Sequence, residues 1–395
     1  MKTHDLIVVG GGVSGLGFAY FSRSYGKETL LLERESRLGG CVQTERLPDG
    51  YWFELGTHTC YNSYGSLLDL VDGCGLRDQV LPRVRVPFKL LRDGAPESVL
   101  RSLRWLELLR SLPGAFALKK EGRTVYAYYS RIVGRRNYGR VVGPLLSAVP
   151  CQNADAFPVA MLFKRRPRRK DYPRTFTLRN GLQTIVDAVA RRPGLEIRTG
   201  VEVESIRREA EGYTVRVTGG ETLAARAVAI AVPPSAAAIM LRDGFPELAD
   251  SLAHIGMVAV ETLGLVVPRE KVAFEPVMGL APVDDLFFSA VTRDPVPDPK
   301  RRAFAFHFRP NVPREKRIER VAQVLGVGPE HFEHVAEKRV VLPAPVLGHE
   351  AIVAEIDRLT ADTRLAVTGN YFAGLAVEDC LGRSRTECAR VAMLG

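Results

Sequence analysis

Gly10, Gly12 and Gly15 stand in the spacing Gly-x-Gly-x-x-Gly, and Glu33 follows about 20 residues later. Residues of these types in this order can hold a dinucleotide. Gly10 permits a tight turn, Gly12 lets the backbone approach a pyrophosphate, and Gly15 lets a helix pack on a strand. Val13 and Ser14 fall in the first helical turn, whose N–H groups point at the phosphates. The Glu33 carboxylate can accept hydrogen bonds from a ribose diol, and Arg34 adjoins it. An acid here favours an unphosphorylated ribose, as in FAD or NAD, over NADP.

These residues need a strand, a turn and a helix to position them. Asp5–Val9 is apolar and β-branched, which predicts a strand buried on both faces. Leu16–Phe21 has helical apolar spacing, and Thr29–Leu32 predicts a second strand ending at Glu33.

The stretch Arg37-Leu38-Gly39-Gly40-Cys41-Val42-Gln43-Thr44 resembles the second glycine motif of the flavin amine oxidase, protoporphyrinogen oxidase and phytoene desaturase superfamily. Gly39 and Gly40 let backbone N–H groups reach the pyrophosphate from a second side. In that superfamily the motif belongs to FAD, so the resemblance implies FAD as cofactor, with Thr44 at the end of its site. Cys41 replaces the Arg or Lys usual there, which removes one phosphate-pairing cation. Tyr51–His58 resembles the stretch that passes beside the isoalloxazine, which implies that Gly56, Thr57 and His58 lie at the flavin. Arg179–Ala188 resembles the helix start that returns the chain to the FAD domain, and the residue matching Val203 holds adenine through its backbone. Ala227–Val232 predicts a buried strand, stopped by Pro233 and Pro234. Near the C-terminus, Leu365–Thr368 predicts another. It leads into Gly369-Asn370-Tyr371-Phe372-Ala373-Gly374-Leu375-Ala376-Val377-Glu378-Asp379-Cys380, which resembles the ending of protoporphyrinogen oxidases. The resemblance implies that Gly369, Asn370, Leu375, Ala376 and Val377 bind FAD. It also implies a helix N-terminus that stabilises negative charge on the flavin pyrimidine.

The fold class expected is α/β: a Rossmann-like FAD-binding domain over 1–75, 175–235 and 350–395. An α+β substrate domain over 76–174 and 236–349 interrupts it. The implied activity is that of an FAD-dependent oxidase or dehydrogenase, taking hydride from a porphyrinogen onto flavin N5. No second Gly-x-Gly-x-x-Gly opens a mid-chain βαβ unit, so oxygen or a quinone is the expected acceptor. An amine oxidase, a carotenoid-type desaturase or isomerase, and a non-catalytic flavin-binding protein stay open. His58 and Tyr371 are the catalytic candidates; a hydrogen-bonded packing histidine is the favoured reading of His58, and Tyr371 by its position walls the flavin site. His331 and His334 have helical spacing but no third ligand, so no metal is expected.

The 395 residues make two to three domains at roughly 150 each. Six scattered Cys without a Cys-x-x-Cys pair point to free thiols in a reducing compartment, and no signal peptide or membrane-spanning run is read. A cytoplasmic protein, in contact at most with the membrane surface, is expected. The net charge is +10, and 164–170 places six cations in seven residues. This run reads as a solvated loop, as a contact for an anionic membrane, or as a guide for a carboxylate-bearing tetrapyrrole. No stacking aromatics accompany it, so nucleic acid is not expected. Leu103–Leu112 is amphipathic and reads either as a core-packing helix or as an interfacial one. Oligomeric state has no sequence signal.

Overall fold

The first strand, Thr3–Val9, lies inside a seven-stranded sheet in the computed structural model, which describes residues 3–111, 113 and 118–394. Its neighbours are Thr29–Glu33 on one side and Thr222–Ile230 on the other, both parallel to it. Leu195–Thr199 extends the sheet beyond Thr29–Glu33. Thr222–Ile230 is long enough to pair twice on its far edge. Gly212–Val217 runs antiparallel along its first half, and Leu365–Val367 runs parallel along its second. Strand segments from three distant parts of the chain therefore build one sheet.

Alternation along these strands fills both faces, as a doubly covered parallel sheet requires. Leu6, Val8 and Leu31 join one core, while Ile7, Val9, Leu30 and Leu32 join the other. Burying each such side chain contributes about 1.5–3 kcal/mol. The helix Val13–Ser22 is apolar nearly all round because it lies between the sheet and the final helix, Val377–Met393. A Cβ on Gly17 would lie 2.4 Å from Leu381, so the two helices meet where a side chain is missing.

A second seven-stranded sheet takes its strands from 88–98 and 257–343. Its central strands, Met257–Pro268 and Arg301–Phe308, pair antiparallel, and alternation again divides their faces. Leu263, Leu265, Phe304 and Phe306 pack with Val321 and Leu325 of the helix Arg314–Leu325. The opposite face carries Thr262, Gly264, Ala303, Ala305 and His307. Small residues there leave room for the first unit: a Cβ on Gly264 would lie 2.2 Å from Leu55 and 2.6 Å from Phe53. A three-stranded sheet of Cys60–Tyr61, Thr175–Leu178 and Val80–Pro82 completes the connection.

Two surface readings of the sequence resolve here. The 164–170 run is only partly free: Arg166 pairs with Asp379 at 2.6 Å, Lys164 with the same carboxylate at 3.4 Å, and Arg169 with Asp72 and Asp171 at 2.7 Å each. The core-packing reading of Leu103–Leu112 holds only in part: Leu103 packs against a small core cluster, and Leu112 lies outside the described residues. Short helices at Val99–Ser102 and Trp105–Ser111 leave Leu100, Trp105, Leu106 and Leu109 exposed among Arg101, Arg104 and Arg110. Among the described residues no helix is long and apolar enough to cross a membrane, and all six cysteines are free thiols.

Candidate functional site

The first strand hands the chain to Gly10, whose φ of +105° and N–H bond to the Leu32 carbonyl (2.8 Å) turn it sharply. A Cβ on Gly15 would stand 1.9 Å from the Gly10 oxygen, so the helix starts directly against the turn. Gly12 is different. Its missing side chain would meet nothing closer than the Gly40 Cα at 3.9 Å, and it caps the helix with no side-chain bond. The uncapped N–H groups and the bare glycine leave a cradle for an anionic group. Glu33 spans its edge, accepting from the Gly11 N–H at 2.6 Å and the Glu35 N–H at 2.8 Å, with lone pairs left for hydroxyl donors. Arg34 pairs with Glu35 and Glu202 on the surface nearby. Val203 opens the strand Val203–Glu209 close by, where the Val201 N–H donates to the Glu33 carbonyl.

The second glycine motif lies against the first: the Gly39 N–H donates to the Gly11 carbonyl at 2.8 Å. Thr44 closes this motif from behind. Its hydroxyl donates to Glu54 at 2.8 Å and accepts from the Gln183 N–H at 3.0 Å, so it holds the wall rather than facing the cleft. Glu54 also accepts from the Leu182 N–H at 2.7 Å. Burial pushes its carboxyl up to about 7, against the pull of those two hydrogen bonds and of Arg46 and Lys338.

An acid whose folded pKa exceeds its ordinary value of 4.5 binds its proton more tightly when folded. This group's contribution is therefore lost as pH rises from below 4.5 through about 7, by roughly 3 kcal/mol. Glu54→Gln keeps an acceptor for Leu182 and removes the charge. Urea unfolding at pH 5 and pH 8 should show the wild type weaker at the higher pH, with the decline much reduced in the variant. Equal declines in both proteins would contradict the assignment.

The C-terminal motif approaches the same cleft. The final helix begins after Ala376, again with no side-chain cap. Ser384, one of its buried residues, donates to the Ser14 carbonyl at 2.8 Å and ties this helix to the first. Glu378 accepts the Ser66 and Leu67 N–H groups at 2.9 and 3.1 Å, capping the helix Gly65–Gly73. Gly12, Val13, Gly40, Cys41, Gly56, Thr57, His58, Asn370 and Leu375–Val377 all keep some exposure, although the strands around them are buried. Gly12 lies against Gly40, and Gly56 against the Cys41 carbonyl and the Lys338 ammonium, so these stretches meet at one cleft. Gly369 is buried. Tyr371 is also buried, and its ring lies with Ile230 and Val367 in the core on the other face of the sheet. At 1% exposure the ring is packed in that core rather than along the cleft, where the sequence led us to expect it.

The cleft is roofed by the inner face of the second sheet. In register across four strands stand Lys338, Thr262, His307 and Ser289. The Lys338 ammonium donates to the carbonyls of Gly40 (2.9 Å) and Cys41 (3.3 Å). A cation is thus present beside Cys41 after all, supplied from a distant strand. Burial pulls Lys338 down to about 8, with Arg37 adding to the effect. Opposite, His58 bonds the Gly56 carbonyl at 3.2 Å, and burial together with Arg83 lowers it to about 4. Arg83 follows the strand Val80–Pro82, and one of its buried guanidinium nitrogens has no partner. Neither Lys338 nor Arg83 has a carboxylate within 4.0 Å among the described residues. Sequence reading missed Lys338, Thr262, His307, Ser289 and Arg83. For His307 a signal existed: the Phe304, Phe306, Phe308 alternation leaves His307 with Ala303 and Ala305 on the other face. His331 and His334 diverge; His334 bonds Glu45 at 3.0 Å.

Two uncapped helix N-termini, a bare glycine between them and an acid at the edge fit FAD. Fold and site thus define a dinucleotide-binding flavoprotein. Residues 13–286 match the flavin containing amine oxidoreductases, and the chain belongs to that family. It is an FAD-dependent oxidoreductase. It is 24% identical to the coproporphyrinogen III oxidase of Propionibacterium freudenreichii subsp. freudenreichii, over 96% of this chain and 89% of that one. It is 25% identical to the chloroplastic protoporphyrinogen oxidase of Nicotiana tabacum, over 69% of this chain but 58% of that one. A solved structure from Exiguobacterium sp. 255-15, provisionally described as a protoporphyrinogen oxidase, superposes with a TM-score of 0.84 at 19% identity, over the whole of both chains. At that identity the likeness shows the fold.

Proposed function

We propose that this protein oxidises a porphyrinogen-type substrate, with hydride passing to flavin N5 and the electrons then to oxygen or a quinone. Bound in the cleft, FAD supplies the two-electron acceptor. The protein supplies position and charge. The observation that carries the reading is Arg83, a half-buried cation with an unpartnered guanidinium nitrogen and no carboxylate partner among the described residues. A desolvated cation without a counter-ion is costly unless a ligand brings the negative charge. A porphyrinogen carries carboxylates on its rim. An amine would arrive as a cation and meet repulsion, and a polyene needs no cation. The names of the two curated relatives point the same way.

Arg83→Gln removes the charge and keeps much of the side chain. A hydrogen bond to a charged group contributes about 1.5–3 kcal/mol, so porphyrinogen binding should weaken roughly 10- to 100-fold. The rate of flavin reduction at saturation should change far less. The loss should vanish with a porphyrinogen whose carboxylates are esterified. Concentration dependence of anaerobic flavin reduction separates the two quantities. Unchanged affinity in Arg83→Gln, or oxidation of amines in preference to porphyrinogens, would contradict the proposal.

A further inference from the structure

The polar row on the second sheet is an unusual use of a buried face. Thr262 and His307 are 1% and 5% exposed, and Ser289 is 1% exposed. Such a face is apolar unless its polar groups are paired or have work to do. His307 is held by one bond, between its Nδ1 and the Thr262 hydroxyl at 2.9 Å. When Nδ1–H donates there, Nε2 carries the free lone pair. Among the described residues Nε2 has no hydrogen-bond partner. The row borders the cleft: its neighbour Lys338 reaches the Gly40 and Cys41 carbonyls, and the His58 and Lys338 side chains lie close enough to act on the His307 ring. A Cβ on Gly56 would itself lie 3.7 Å from the Lys338 ammonium. Both ends of the Thr262–His307 pair sit on interior strands, so the ring is fixed by a rigid element. His58, by contrast, sits on a loop and bonds only a backbone carbonyl.

We propose that His307 is a catalytic residue, accepting at Nε2 the pyrrole N–H proton of the substrate as hydride leaves the adjoining meso carbon. This rests on the porphyrinogen reading above. The step balances. The C–H bond breaks and both its electrons travel with the hydride to FAD. The N–H bond breaks, its electrons enter the new double bond of the macrocycle, and His307 becomes imidazolium. The imidazolium then gives its proton to water entering the cleft before the next two-electron step. Burial, with His58 and Lys338 nearby, holds the ring far below its ordinary pKa, at about 3. It therefore waits as the neutral acceptor, and the carboxylates of an arriving substrate raise its affinity for a proton.

The test is anaerobic mixing of holoenzyme with a porphyrinogen, following flavin absorbance, with product-porphyrin binding followed separately by fluorescence. A general base contributes about 10²- to 10⁴-fold, so His307→Ala should slow flavin reduction at saturating substrate by that order. Bound flavin and porphyrin affinity should stay within a few fold. Added imidazole should restore part of the rate. Thr262→Val, which leaves the imidazole but frees its orientation, should slow reduction by about 10-fold and respond little to imidazole. If His307→Ala retains too little flavin to measure, Thr262→Val decides. Reduction at the wild-type rate in either variant overturns the proposal. So does a fall in porphyrin affinity that matches the fall in rate without imidazole rescue. A wild type that no porphyrinogen bleaches would instead overturn the underlying substrate reading, which separates the two failures.

Discussion

Gly12→Val should fold and purify colourless. The position has extended backbone, with φ −73° and ψ 178°, which any residue adopts. Its Cβ would meet only the Gly40 Cα at 3.9 Å, so the protein itself does not exclude a side chain. A β-branched residue at this cap costs about 1 kcal/mol of stability. The space it fills is the pyrophosphate cradle between the two glycine motifs. Overpacking of this kind costs up to about 3 kcal/mol, so FAD affinity should fall by up to roughly 10²-fold. Gly15→Val makes the contrast. Its Cβ would lie 1.9 Å from a backbone oxygen, and that variant should lose the fold rather than only the flavin. Titrating apoprotein with FAD, beside thermal melts of apoprotein so that cofactor stabilisation does not confuse the comparison, distinguishes the two. A yellow Gly12→Val protein with wild-type affinity would contradict the placement of the cofactor.

Asp294→Ala should produce the largest loss of stability among single changes in the second sheet. Asp294 and Arg302 are both almost fully buried, at 4% and 2% exposure. The guanidinium grips the carboxylate twice, Nε to Oδ1 at 2.9 Å and Nη2 to Oδ2 at 2.5 Å. Arg302 also donates to the Phe274 carbonyl at 2.6 Å, and Asp294 accepts the Val277 N–H at 2.8 Å. Removing one partner of a buried pair leaves an uncompensated charge and costs about 3–5 kcal/mol. Replacing both, as Asp294→Leu with Arg302→Met, should recover much of that loss. Urea unfolding measures the three proteins. A single variant within about 1 kcal/mol of wild type would contradict the burial of the pair.

The local parts of the site were legible in the sequence. Gly10, Gly12, Gly15 and Glu33 sit on one strand–turn–helix–strand unit, so their geometry follows from neighbouring residues alone. The edge of the cleft at Gly56–His58 and Leu375–Val377 was reached only by resemblance, because long-range contacts bring those stretches together. The roof was not legible. Lys338, Thr262, His307 and Ser289 come from four strands whose register is set by pairing across tens of residues. Cys41 marked a missing cation, but nothing nearby in sequence could announce that Lys338 would take up a place beside it. Tyr371 was misplaced for a related reason. Its motif runs along the cleft, yet the ring turns back over Gly369, where a Cβ would lie 2.3 Å from it. The run at 164–170 looked free because its partners, Asp72 and Asp379, lie far away along the chain.

An FAD-loaded cleft with an uncompensated cation at Arg83 is proposed to oxidise an anionic porphyrinogen. Anaerobic stopped-flow mixing of the purified holoenzyme with coproporphyrinogen and with protoporphyrinogen tests it directly. Flavin absorbance should bleach with at least one of them, at a rate that saturates with substrate. On admission of oxygen, porphyrin fluorescence should grow through repeated flavin cycles. Flavin that stays oxidised with both porphyrinogens, yet bleaches with an amine, would contradict it.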